Sequence, residues 1–385
     1  MLDWTIDGPT GADAAGTFAY DAVNRIASRT RSAPGLAAVS ESFSYDALGN
    51  LTLLGGEPQR FEHASKPHAI TSRGATTYAH DASGNLARAA GRHFRFDSAD
   101  RLVCVGSAAG QCDVLRAVYD AQGDRVAEQA GATWRGFIGP EQVRTIADGV
   151  DASRLEITAF GERVAYAIIE APRVAAALPL FELEVPPWAF AVPPLSALLT
   201  CLALALRGGL LAGIARRPVR AGLTAVLVAA VAIPSPAFAG GGGWSWQFSY
   251  RWVLSDALGS GLAVLDETGL LLHQTRFEPF GAVDAGEFHA AADHPPRRYF
   301  AGHPEQAETG LHYMNARWLD PETGTFLSVD PVVRDVAKSQ SLNGYAYAEN
   351  NPIAFNDPTG ACLPPECRTY GLVSSGYIPS HAVVV

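Results

Sequence analysis

Tyr45-Asp46-Ala47-Leu48-Gly49-Asn50-Leu51 decides how the first half of the chain is read. An aromatic residue suits the end of a strand and packs on a sheet. The Asp that follows closes a turn through its own side chain, and Gly-Asn supplies the positive φ of a tight hairpin. Leu51 then resumes an apolar alternation. The same unit recurs as Tyr20-Asp21-Ala22-Val23-Asn24-Arg25-Ile26 and as Tyr119-Asp120-Ala121-Gln122-Gly123-Asp124-Arg125-Val126. Looser copies are His80-Asp81-Ala82-Ser83-Gly84-Asn85-Leu86 and Phe96-Asp97-Ser98-Ala99-Asp100-Arg101-Leu102. Each copy is one turn plus parts of two strands. A lone hairpin is marginal in water, so the copies must pair laterally into a long antiparallel sheet. The repeated Asp residues read as turn caps. Their loops offer too few oxygen ligands at fixed spacing for a calcium site.

Composition bounds the rest. A chain of 385 residues has room for about two or three domains. Hydrophobic residues make up 48% and charged residues 18%, which excludes a charge-driven disordered chain. The net charge is −10, from 29 basic and 39 acidic residues, so no nucleic-acid partner is expected. Gly 38 and Pro 25 supply more turn chemistry than a helical bundle carries. The five Cys show no zinc spacing, and no cofactor or metal is expected. Cys104 and Cys112 bracket a turn, and Cys362 and Cys367 bracket Leu-Pro-Pro-Glu. Either pair can close a small disulfide loop or stay as free thiols. Cys201 sits in an apolar run and reads as inert.

The repeat language stops near Glu170. Leu195–Ala215 carries one charge, Arg207, and Ala221–Ala239 carries none; Arg216-Arg217-Pro218-Val219-Arg220 lies between them. About 20 apolar residues can span a bilayer as a helix. Three readings stay open: a transmembrane helical hairpin with an Arg-rich turn, a displaced signal-like segment cut near Ala237-Phe238-Ala239, or a pair of buried core helices. Trp244 and Trp246 suit a membrane interface. The start, Met1-Leu2-Asp3-Trp4, has no signal-peptide pattern, and the immediate onset of the repeats suggests a fragment of a longer ancestral protein.

After Tyr250 the strand-and-turn pattern returns, with Leu254-Ser255-Asp256-Ala257-Leu258-Gly259-Ser260 and Leu265-Asp266-Glu267-Thr268-Gly269. A dense motif runs from Thr309-Gly310-Leu311-His312-Tyr313 through Asn315-Ala316-Arg317-Trp318-Leu319-Asp320-Pro321 to Ser328-Val329-Asp330-Pro331. It closes with Asn343-Gly344-Tyr345-Ala346-Tyr347-Ala348-Glu349-Asn350-Asn351-Pro352 and Asp357-Pro358-Thr359-Gly360. This set closely resembles the RHS (rearrangement hotspot, YD-repeat) family and its RHS repeat-associated core. The resemblance covers about 20–165 as repeats and 250–360 as core.

The resemblance implies a β-sheet shell that encloses a C-terminal effector, and a core that often acts as an aspartyl autoprotease. On the matching positions, Asp330 and Asp357 become the catalytic carboxylates. Two carboxylates close together cannot both ionise easily, so one would keep a proton as acid while the other acts as base. Gly360 and Ala361 mark the cleavage site, with the cut after Ala361. Ala361 stands where the family carries Leu, and Thr325 where it carries Arg. Implied partners are a secretion-system spike or a toxin-complex subunit.

The expected fold is mainly β: a curved antiparallel sheet of YD-type hairpins forming a partial, cocoon-like shell, with an apolar α-helical insertion. The expected divisions are repeats over 1–170, the insertion over 171–243, further repeats over 244–308, the core motif over 309–361 and a tail over 362–385. An open strip is expected, because closure demands many strands. His289, His294 and His303 read as surface histidines, and Ser255 and Ser260 lack a nucleophile elbow. The functional expectation is a short member or fragment of a toxin-delivery shell, membrane-associated through 195–239 or placed at the surface or secreted. The alternatives are a membrane-anchored scaffold or adhesion protein without an enzymatic step, and a remnant lacking its effector.

Overall fold

The computed structural model describes residues 2–6, 14–32, 38–138, 142–147, 150–159, 162–170, 247–256, 258–284, 288–289, 299–331 and 339–361. The described residues belong to one compact unit. The apolar insertion lies outside the described residues. Among those described, helix is confined to the short 3₁₀ turn Ser339–Leu342, Tyr347–Asn350 being a turn in which Ala348, Glu349 and Asn350 take left-handed φ, and no helix is long and apolar enough to cross a membrane.

The strands fall into three antiparallel sheets. Four strands, Leu2–Ile6, Ala14–Tyr20, Ile26–Ser32 and Val39–Ser42, pair in chain order. Eighteen strands, from Ser44–Tyr45 to Phe288–His289, follow chain order in a sheet that closes on itself. The expectation of an open strip is therefore corrected. Eighteen short strands suffice for closure, since barrel diameter grows with strand number. The third sheet has five strands: Tyr299–Phe300, His303–Gln306, Leu311–Met314, Arg317–Asp320 and Thr325–Phe326.

The turn units are built as the sequence requires. Asp46 Oδ1 accepts the backbone N–H groups of Leu48 and Asn50, both at 2.9 Å. Asp97, Asp120, Asp256 and Asp266 repeat that pair of contacts in their own turns. The fourth residue of each turn takes positive φ: Gly49 at 83°, Gly123 at 96°, and Asn24 and Asp100 where Gly is absent. A bulge follows at the base of these hairpins, as between Val118 and Tyr119, the geometry of a type I turn completed by a left-handed residue. Neighbouring turns are laced together. Asn85 donates to Asp100 at 2.7 Å, and Arg101 to the Asp120 carbonyl at 3.2 Å.

The third sheet is buried on both faces. Alternation along Leu311–Met314 and Arg317–Asp320 sends Leu311, Tyr313 and Trp318 to one side, against Leu86, Phe94, Leu102, Val105 and Leu115. Met314 and Leu319 face the other side, against Ile26, Phe43, Leu51, Phe280 and Phe300. Strands covered on both faces read as nearly continuous apolar runs, and all four residues of Leu311–Met314 are buried. Trp318, 2% exposed, donates its indole N–H to the Tyr119 hydroxyl at 3.1 Å. A buried Trp needs such a partner. Polar contacts repeat the docking at the turns. Tyr345 Oη donates to the Gly84 carbonyl at 2.6 Å, Asn350 to Gly49 at 3.1 Å and Asn351 to Asn24 at 2.8 Å. The 343–351 stretch thus reads three successive repeat turns through their backbone carbonyls.

Candidate functional site

Arg317 opens the strand Arg317–Asp320 on the same face as Leu319. Its guanidinium is buried and lies over the Phe326 ring, 3.7 Å from the centroid. A buried guanidinium must spend its N–H groups on acceptors. Nη2 donates to Asp330 Oδ2 at 3.0 Å and to Asp357 Oδ2 at 3.3 Å. Nη1 donates to the Gly344 carbonyl at 2.9 Å. Nε donates to the Gly360 carbonyl. The side chains of Arg317 and Asp357 are 3% exposed and that of Asp330 9%.

The two carboxylates come from distant turns. Asp330 is fixed by its own N–H, which donates to the Gly344 carbonyl at 2.8 Å. Gly344 has no room for a side chain, because a Cβ would lie 2.8 Å from Val329 Cγ1. Asp357 Oδ1 accepts the Thr359 N–H at 3.4 Å, and the Asp357 carbonyl accepts from His303 Nε2 at 2.9 Å. Burial, reinforced by the nearby Asp357 carboxylate, pushes the Tyr347 phenol above its usual range. Gly360 takes a φ of 70°, and a Cβ there would collide with the Met314 carbonyl. Only glycine lets the chain pass this close.

Asp330, Asp357 and Gly360, named from the sequence, therefore meet at Arg317, and Ala361 follows with its N–H on the Thr359 hydroxyl at 3.2 Å. Two things were missed. Arg317 sits between the carboxylates and donates to both. Its signal was a lone cation in an apolar strand, Ala316-Arg317-Trp318-Leu319. His303, read as a surface residue, is instead 6% exposed on the strand His303–Gln306, because that strand belongs to the interior sheet. Thr325 is also buried and pairs with the Thr323 hydroxyl at 2.9 Å. Among the described residues no cluster of His, Cys, Asp and Glu could hold a metal. Cys104 and Cys112 form a disulfide, with their Cα atoms 5.2 Å apart.

Comparison with known proteins follows the same segment. Residues 248–353 match the Teneurin YD-shell family model. The tRNA nuclease WapA of Bacillus subtilis is 37% identical over 106 residues, which is 27% of this chain and 4% of WapA. Toxin protein Tse5 of Pseudomonas aeruginosa is 37% identical over 110 residues, 29% of this chain and 8% of Tse5. The Photorhabdus luminescens Tc holotoxin pore structure superposes with a TM-score of 0.50 at 14% identity, over 99% of this chain and 14% of its own. That likeness shows the fold alone. The chain thus spans a small part of each of these proteins. Over residues 248–353 the family match bears out the resemblance to RHS/YD-repeat proteins read from the core motif.

Proposed function

We propose that the chain is a toxin-delivery shell segment of RHS type that cuts itself after Ala361. The observation that carries the reading is Arg317: one guanidinium binds both carboxylates and the carbonyl of Gly360, one residue before the bond to be cut. In this reading a water oxygen attacks the Ala361 carbonyl carbon. One of the pair, ionised, takes the water proton, and the other, held as the carboxylic acid, delivers its proton to the Cys362 nitrogen as the C–N bond breaks, so that the two exchange protonation states. The products are a carboxylate at Ala361 and an amine at Cys362. Arg317 steadies negative charge at the carboxylates, as preorganised donors do in a site shielded from water. The test is to compare the wild-type chain with Asp330→Asn and Asp357→Asn. Only the wild type should release a peptide whose amino-terminal sequence begins at Cys362. Release from either variant at the wild-type rate removes that carboxylate from the mechanism.

The partner in this reading is a toxin-complex subunit or secretion-system spike, at the cell surface or after secretion. Enclosure or presentation of a C-terminal effector belongs to the same proposal. Membrane attachment through 195–239 rests on the apolar pattern of the sequence. The pairing of Glu170 with Gln247 favours a hairpin over the signal-like reading, since a segment that crosses once would part the two strands. A second reading, a scaffold without an enzymatic step, is favoured by the Thr359 N–H on Asp357 Oδ1. That contact is a turn cap, and with Arg317 it would make the carboxylates a latch.

A further inference from the structure

The stretch before the cut is gripped in a regular way. Four successive carbonyls each accept a hydrogen bond. His303 Nε2 takes Asp357 at 2.9 Å, and Asn315 Nδ2 takes Pro358 at 2.9 Å. The Ala316 N–H takes Thr359 at 3.0 Å, and Arg317 Nε takes Gly360. Three of these donors come from consecutive residues: Asn315 and Ala316 in the turn after Leu311–Met314, and Arg317 at the start of Arg317–Asp320. Asn315 holds a φ of 61° there, a left-handed conformation that Asn tolerates better than most side chains. Below the strand there is no slack, since Gly360 already touches the Met314 backbone.

Every one of these contacts is made to the main chain. Resting on the self-cleavage reading, we infer that residues 303 and 315–317 form a main-chain cradle that sets which bond is cut, and that the side chain at 361 is not the determinant. Sequence-independent presentation follows from hydrogen bonds to the backbone, as it does where a peptide is held as an added strand. It also accounts for Ala at 361 where a larger apolar residue would be expected to dock. His303 and Asn315 are then positioning residues: they hold the carbonyls four and three residues ahead of the scissile bond. A geometric shift of about 1 Å in such a support can cost about a hundredfold in rate.

The experiment follows the 385-residue chain during synthesis in a purified translation system, by intact mass at successive times. Asn315→Asp keeps the size and the left-handed preference but removes the donor and sets a carboxylate against the Pro358 carbonyl. It should slow cleavage at least tenfold or move the cut to a neighbouring bond, with the melting temperature little changed. His303→Ala should slow cleavage similarly, and His303→Gln, which returns a donor at the same reach, should restore it. Ala361→Leu and Ala361→Val should be cut at the same bond within about threefold of wild type. A shifted cut is a result that a merely structural role would not produce. Wild-type cleavage with an unaltered rate and bond in Asn315→Asp and His303→Ala overturns the cradle alone. So does loss of cleavage in Ala361→Val. Absence of cleavage in the wild type overturns the cradle together with the self-cleavage reading.

Discussion

Glu170 and Gln247 face each other as direct cross-strand partners, although 171–246 lies between them in the chain. The strands Glu162–Glu170 and Gln247–Ser255 pair over six registered positions, from Ala165 with Trp252 to this final pair. The insertion therefore occupies the place of an ordinary hairpin turn. Replacing 171–246 by Asn-Gly, which suits a two-residue hairpin loop, should leave the shell folded. The check is circular dichroism and a cooperative melt. Loss of the transition would mean that the insertion holds the sheet together.

Arg317→Lys should fail where a simple charge would be expected to serve. An ammonium cannot reach two carboxylates and two carbonyls from one planar fork. The variant should lose about 3 kcal/mol or more of stability, the usual cost of leaving buried charges without their partner, and all cleavage. Urea unfolding and intact mass read the two effects separately. Cleavage in a destabilised but folded Arg317→Lys chain would show that the guanidinium is not needed for chemistry.

Much of this was legible beforehand, and the division has a physical cause. The turn units were readable because everything they need is local: Asp46, Gly49 and Asn50 specify their own contacts within five residues. The substitutes Asn24 and Asp100 at the left-handed position obey the same rule. Asp330 and Asp357 could be named because they sit in short motifs, Ser-Val-Asp-Pro and Asp-Pro-Thr-Gly. Closure of the sheet, the burial of His303 and the insertion of Arg317 between the carboxylates depend on which segments meet across long stretches of chain. No local pattern encodes that. The Arg317 contacts span 13 to 43 residues of sequence, and the Trp318–Tyr119 bond spans 199.

Asp320 carries a pH dependence. Burial pushes its carboxyl from an ordinary 3.8 to about 6, while its Oδ1 caps the Glu322 N–H at 3.0 Å. A raised folded value means that the fold binds the proton more tightly than the unfolded chain does. The cost of ionising Asp320 is therefore absent below pH 3.8, grows between pH 3.8 and 6, and stays constant above. Asp320→Asn keeps an acceptor for the cap and removes that cost. It should stabilise the protein by about 1–2 kcal/mol at pH 7.5, after allowing for solvent screening, and by nothing at pH 3.5. Urea melts at the two pH values test this; an equal effect at both would assign it to packing.

The Cys104–Cys112 disulfide closes a loop with a sequence separation of 8. In the chain-entropy account, a loop of this size contributes about 2–3 kcal/mol. Replacing both cysteines by Ser should lower the denaturation midpoint accordingly, and reductant should lower the wild type by a similar amount while leaving the double variant unmoved. Equal midpoints with and without reductant in the wild type would mean that the thiols are free in solution.

The most direct measurement is the intact mass of the purified 385-residue chain. Self-cleavage predicts a species ending at Ala361 and a released peptide of 362–385, both absent in Asp357→Asn. A single species of full mass in a folded wild-type chain would contradict it, and would leave Arg317, Asp330 and Asp357 as a buried ionic latch.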